Sequence, residues 1–235
     1  MDRNLQLEIF MAQTRNVRAL NTTWNHIQRT INRELIKDNF VSANLQTRLL
    51  ALVFCSWSEA IFSKLIHTPH GFTLDEIYQI KAKAKRDIVD GWLKCLELGL
   101  KHVATQSNSN YIPNIRLSVT RIIESYIAAP RLLRNKIAHG QWYVALNSDN
   151  DAINHHLTTQ ISQLDVVKLS IWKEAFRSLS NIIELLIESP TKAFHREYNI
   201  EIENIKEHLR VTEKWTLAEK IHKLKTKKAY AQNNR

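Results

Sequence analysis

Between Leu132 and Trp142 the chain reads Leu-Leu-Arg-Asn-Lys-Ile-Ala-His-Gly-Gln-Trp, and Arg134, Asn135 and His139 are the residues there that can do chemistry. An imidazole titrates near neutrality and can give or take a proton. A guanidinium is a permanent cation with a planar fork of donors. A carboxamide can orient either. The stretch reads as the last turns of a helix stopped by Gly140, which is free to take the left-handed conformation that closes helices. Leu132, Leu133 and Ile137 supply its apolar face. Asn135 and His139 are four apart and share a face. Arg134, five before His139, lies about 140° around an ideal helix at roughly 100° per residue. A cation at His139 is also favoured by the helix dipole.

Long helices must position this stretch. The 235 residues include only four Gly and four Pro, so extended runs proceed without a breaker. Apolar residues from Leu5 to Leu35 recur at three- and four-residue intervals, predicting a helix over 4–37. Ser42 is the expected N-cap of a second helix, reaching about residue 67. That helix is apolar on most sides, which suits the centre of a bundle. Inside it Glu59 lies either at the edge of the buried face or beside a cation, with Arg134 the partner of interest. Thr73 and Glu76 have capping-box spacing and open a third helix expected to run to about 103. A polar loop follows at 106–110. After Pro113 a fourth helix leads to Pro130, where a kink or restart is expected because proline removes a donor and crowds the preceding turn.

Beyond Trp142 the pattern changes. Tyr143–Leu146 and Leu157–Ile161 read as strands around a turn at 147–151, predicting a short β-hairpin. Asp165 caps a further helix to about 188, and Pro190 ends it. The last segment, about 191–235, reads as a charged helical extension ending in a frayed basic tail. The fold class expected is thus all-α with one hairpin, in a single domain with its core at about 40–190.

The formal charge of +10 and pI of about 9.6 favour a polyanionic partner, with RNA, DNA and an anionic membrane surface the candidates. Lys81, Lys83, Lys85 and Arg86 read first as a solvated helix face and second as a phosphate-binding surface. Lys136, Lys223, Lys225, Lys227 and Lys228 are the candidate RNA contacts. Cys55 and Cys95 are isolated in apolar helical patterns, as buried thiols in a reducing, cytoplasmic setting would be. No uninterrupted apolar span and no secretory leader is read. No zinc-ligand spacing, glycine-rich phosphate loop or dinucleotide fingerprint occurs, so no metal and no cofactor is expected. His67 and His70 flank a proline in a loop. His155 and His156, in a strand, would face opposite ways. Asp149 and Asp151 read as turn residues.

Arg134-Asn135-Lys136-Ile137-Ala138-His139 resembles the R-x-x-x-x-H signature of the HEPN superfamily, and its flanks resemble the motif helix of bacterial HEPN ribonucleases of host defence or toxin type. The resemblance covers this motif and, in general style, the helices from about 40 to 190. It implies a helical bundle that forms a homodimer with the two motifs facing each other, and a metal-independent endoribonuclease. Arg134 and His139 would then be catalytic, with Asn135 holding His139 or contacting phosphate and Glu59 in support. An antitoxin or defence partner is implied without being named by any residue. The alternative is a non-catalytic dimer that scaffolds RNA or protein, its motif residues serving only to tie the copies together.

Overall fold

The computed structural model describes residues 2–103 and 110–233. Of these, 81% are helical, and no β-strand is present among them. The polar loop expected at 106–110 lies outside the described residues except for Asn110.

Helices α1 (Arg3–Ile36) and α2 (Phe40–Ile66) form an antiparallel pair. Their far ends are tied where Gln6 Nε2 donates to the Thr68 carbonyl at 3.2 Å and Arg3 Nη1 to that of Phe72 at 3.3 Å. The connection turns at Asp38, whose φ is 58°. Asn39, not Ser42, is the N-cap of α2: its side chain accepts from the Ser42 amide at 3.2 Å. By length and composition α2 could cross a membrane, but 56% of its most apolar window is buried within the bundle. There Phe54 and Trp57 meet Phe176, with Trp57 and Phe176 centroids 5.4 Å apart.

The single helix expected from 73 to 103 is two, α3 (Leu74–Arg86) and α4 (Ile88–Leu100). The chain breaks at Asp87, which is extended at φ −151°, ψ 129°, and whose carboxylate accepts from the Val89 amide at 2.9 Å. An aspartate that caps its own downstream backbone supplies the stop without Gly or Pro. The two helices then fold closely together at Gly91, where a Cβ would lie 2.6 Å from that of Ala84. The capping box of Thr73 and Glu76 is formed as the spacing predicts.

Helix α5 (Tyr111–Ile123) starts before Pro113 and passes into a π-helical turn, Glu124–Ala128, then into α6 (Ala129–Ala138). The break expected near Pro130 therefore takes this form. A wider turn just upstream relieves the clash between the proline ring and the preceding carbonyls.

The expected hairpin is not formed. Leu146 and Ile153 make an isolated antiparallel bridge, and the second predicted strand is helix α7 (His155–Ser162). Asn154 caps it, accepting from the Leu157 amide at 3.0 Å, and Leu157 and Ile161 are buried at helical spacing. β-branched residues favour strands only weakly, and a cap with an apolar face outweighs them here. His155 and His156 accordingly lie on an exposed helix.

Asp165 caps α8 (Val166–Glu188) through the Val167 and Lys168 amides, as predicted. Then follow α9 (Ala193–Thr212) and α10 (Leu217–Asn233). The charged extension is not solvated throughout. Phe194, Tyr198, Ile202 and Ile205 of α9 are buried and join the core cluster that begins at Trp24. Nor is the basic end frayed: α10 lies against α1 and α8, and Lys225 pairs with Asp38 at 2.7 Å.

Candidate functional site

The motif helix is held at its end by backbone bonds. The Gly140 amide donates to the Ile137 carbonyl and the Gln141 amide to that of Lys136 at 2.9 Å, the paired pattern that closes a helix around a left-handed residue. Gly140 has φ 80°, and nothing lies within 4 Å of a Cβ placed there, so conformation alone calls for glycine. The Trp142 indole donates to the Ile137 carbonyl at 3.1 Å. His139 is the C-cap residue, exposed, on a backbone fixed from both sides.

Leu133 and Ile137 are buried as expected, but Leu132 is 48% exposed and is not part of the apolar face. Around the buried ridge, Arg134 is largely enclosed: its side chain retains 16% of its accessible surface. Its Nη1 lies 3.7 Å from Glu59 Oε1, and its Nη2 donates to Asn135 Oδ1 at 3.3 Å. Glu59 is an edge residue of α2 with its side chain 66% exposed, so the pair is half open rather than buried. The carboxamide of Asn135 faces Arg134, its chain neighbour, and no bond from it to the His139 ring is present. Cys55, under the same turn, donates to the Arg134 carbonyl at 3.7 Å. Burial pushes the Cys55 thiol up to about 12, with the Arg134 charge opposing, so it stays protonated and unreactive at neutral pH.

Two cations near the motif had no signal in the sequence pattern beyond their charge. Arg131, one turn before Arg134, is ion-paired with Asp87 at the α3–α4 break. Arg48 of α2 is 1% exposed, and its Nε and Nη1 have no hydrogen-bond partner among the described residues. Its guanidinium lies 5.8 Å from the Tyr143 ring centroid. Burial pulls its pKa down. Arg48 and Cys55 are seven apart on α2, so both face the motif helix and the chain that leaves it.

Lys136 is half-buried and partly engaged within the chain. Its ammonium donates to the Asn147 carbonyl at 3.2 Å and fastens the connection after the motif. The same connection is braced by Gln141, which accepts from the Leu146 amide at 2.8 Å, and by Asn147, bonded to Asp151 at 2.6 Å. Asp151 is thus a turn residue, as its setting predicted.

The lysines of α10 divide by face. Lys225 is paired with Asp38, and Lys223 lies over the Trp215 ring at 5.4 Å. Lys220, Lys223 and Lys227 line a cleft between α8 and α10, while Lys228 is exposed outside it. Burial lowers the pKa of Lys220, with Asp165 opposing.

Among the described residues no group of three or more His, Cys, Asp or Glu is placed to hold a metal ion. Compared with protein-family models, with characterised proteins and with solved structures, the chain gives no match. Chemically, the arrangement offers an oriented, enclosed guanidinium and, at the rigid end of the same helix, an exposed imidazole. That pairing suits proton transfer next to an anionic centre.

Proposed function

We propose that this chain is a metal-independent endoribonuclease with a HEPN-like motif, acting as a cytoplasmic defence or toxin-type effector. The observation that carries the reading is the enclosed Arg134, oriented by Asn135 and Glu59, with His139 exposed on the same short helix. RNA supplies its own nucleophile. His139 takes the proton of the 2′-hydroxyl or gives one to the leaving 5′-oxygen. Arg134 steadies the charge that grows on the phosphorane oxygens through its fork. The product is a 2′,3′-cyclic phosphate and a 5′-hydroxyl.

A base and an acid are needed, and the motif holds one imidazole. A symmetric homodimer supplies the second. In support, Val41, Leu45 and Leu49 expose an apolar stripe on α2, adjoining the face that packs on α6. Glu59 continues that stripe, so an interface formed there would enclose the Arg134–Glu59 pair. The same stripe favours a second reading, a dimeric scaffold for RNA or protein in which the motif residues are only structural.

The deciding experiment incubates purified protein with labelled RNA in EDTA, wild type beside His139→Ala. Cleavage by the wild type alone supports the ribonuclease. Equal cleavage by both refutes the site, and cleavage by neither leaves the scaffold.

A further inference from the structure

Two clefts run end to end from Tyr126 to the C-terminal helix. Between Tyr126 and Arg134 lies only a water-sized void among the buried Phe54, Trp92 and Phe176. Tyr126 also lines the first cleft, where Lys168 and Trp172 of α8 stand opposite the end of α9. Val167 and Trp215 are shared by the two clefts, the second of which Lys220, Lys223 and Lys227 complete. Each cleft therefore has an aromatic ring with a cation beside it. Lys168 lies 5.9 Å from the centroid of Trp172, and Lys223 lies 5.4 Å from that of Trp215. Trp215 is 48% exposed, open to a stacking partner.

The charge along this path is positive after its internal partners are counted. The Asp165 carboxylate accepts from two α8 amides, and that of Glu219 accepts from the Thr216 amide at 3.0 Å, so both serve as helix caps. Arg210 is forked to Glu207 and neutralised. Capping leaves the charge of Asp165 and Glu219 in place, and with Glu213 they set three anions against the four cations Lys168, Lys220, Lys223 and Lys227, an excess of one positive charge.

We propose that this groove holds a single strand of RNA whose near end lies at Tyr126, on the side of the bundle that carries the motif, its bases stacking on Tyr126, Trp172 and Trp215 and its phosphates meeting the intervening lysines. The proposal rests on the ribonuclease reading and names the form of its substrate. Rings alternating with cations along a groove suit an unpaired strand, whose bases are free to stack on protein. In a duplex the bases stack on one another, and recognition falls to shape and backbone. The α10 lysines accordingly do not act as one basic tail. Lys220, Lys223 and Lys227 face the strand, and Lys225 is engaged with Asp38.

The test uses the full chain carrying His139→Ala, so that binding is read without cleavage. Fluorescence anisotropy follows oligouridylates of about 4, 8 and 16 nucleotides, with an RNA duplex and uridine monophosphate as competitors. Affinity should rise with length, and duplex and mononucleotide should compete poorly. Trp215→Ala should weaken the longest strand by about 5- to 100-fold, and Trp215→Phe should restore most of it. Lys220→Ala and Lys227→Ala should each lower the slope of log affinity against log salt by about 0.7, with Lys225→Ala leaving it unchanged. Unchanged binding by Trp215→Ala, equal effects of all the lysines, or a mononucleotide as tight as the long strand would each overturn the path. Cleavage by the chain with native His139, measured separately, tells the two readings apart. His139-dependent cleavage with Trp215 irrelevant refutes the path alone. Trp215-dependent binding without cleavage refutes the ribonuclease alone.

Discussion

Arg134 donates to the side chain of Asn135, the residue that follows it, at 3.3 Å. Adjacent helical side chains normally diverge, and here the long guanidinium turns back to make the contact. On the ribonuclease reading, Asn135 positions Arg134. Asn135→Ala should lower the cleavage rate by about tenfold, the loss of one oriented hydrogen bond at 1.4 kcal/mol per factor of ten, and leave the pH–rate profile in place. A shifted profile would mean that Asn135 acts on His139 instead.

His139→Ala and Arg134→Ala should each reduce RNA cleavage by about 10² to 10⁴, with helix content unchanged by circular dichroism. Arg134→Lys should fail substantially as well, because an ammonium cannot copy the planar fork. EDTA should have no effect, and end analysis should find cyclic phosphate. Loss of activity in EDTA together with survival of His139→Ala would place the chemistry elsewhere.

Much of this frame was legible in the sequence, for reasons that can be named. Apolar spacing marked α1, α2 and α8, and the carboxylates of Glu76 and Asp165 marked helix starts, because both effects are local. The break at Asp87 was hidden because an aspartate in an amphipathic run looks like one more polar-face residue until its side chain bonds to Val89. Helix α7 was hidden because Leu157–Ile161 fits both periods over so short a length. At the site, the types and spacing of Arg134 and His139 were visible. Arg48 and Arg131 were not, since their importance comes from Tyr143 and Asp87, which are distant in the chain.

Light scattering at micromolar concentration should report a dimer. Leu45→Glu with Leu49→Glu should give a monomer of unchanged helix content, since both side chains are exposed in the single copy. Cleavage should fall with the loss of the dimer. A wild-type monomer that cleaves RNA would remove the need for a second imidazole.

Gly140→Ala should destabilise the fold by about 1 kcal/mol, read as a lower urea midpoint with an unchanged slope. The cost comes from the positive φ alone, because no atom obstructs a Cβ there. Wild-type stability in this variant would mean that the helix end has rearranged.

His67 is buried, its Nδ1 lies 2.6 Å from the Ser63 carbonyl, and its Nε2 has no partner among the described residues. The carbonyl accepts, so Nδ1 carries the hydrogen and Nε2 is the bare nitrogen. Burial lowers the pKa of His67 from its ordinary value. A depressed folded value makes this contribution to stability complete above about pH 6.5, and it is lost as the pH falls toward the folded value, because the unfolded chain binds the proton first. Urea melts at about pH 7.5 and 5.5, either side of that value, should show a smaller difference in His67→Gln than in the wild type. An equal difference would assign the acid sensitivity to other histidines.

The π turn at Glu124–Ala128 makes chain length itself a determinant of the site. A π turn carries one residue more than the α-helical path it replaces, and each residue advances a helix by roughly 100°. Deleting Ala128 would let the turn revert to α-geometry and swing everything downstream through that angle. Leu133 and Ile137 would leave their seats in the core, and Arg134 would be carried away from Glu59. The connection at 147–151, joined to the motif by side-chain bonds rather than by a continuous helix, sets no such phase. A residue gained or lost there changes a turn, whereas one lost from Glu124–Ala128 turns the motif to a different wall of the bundle.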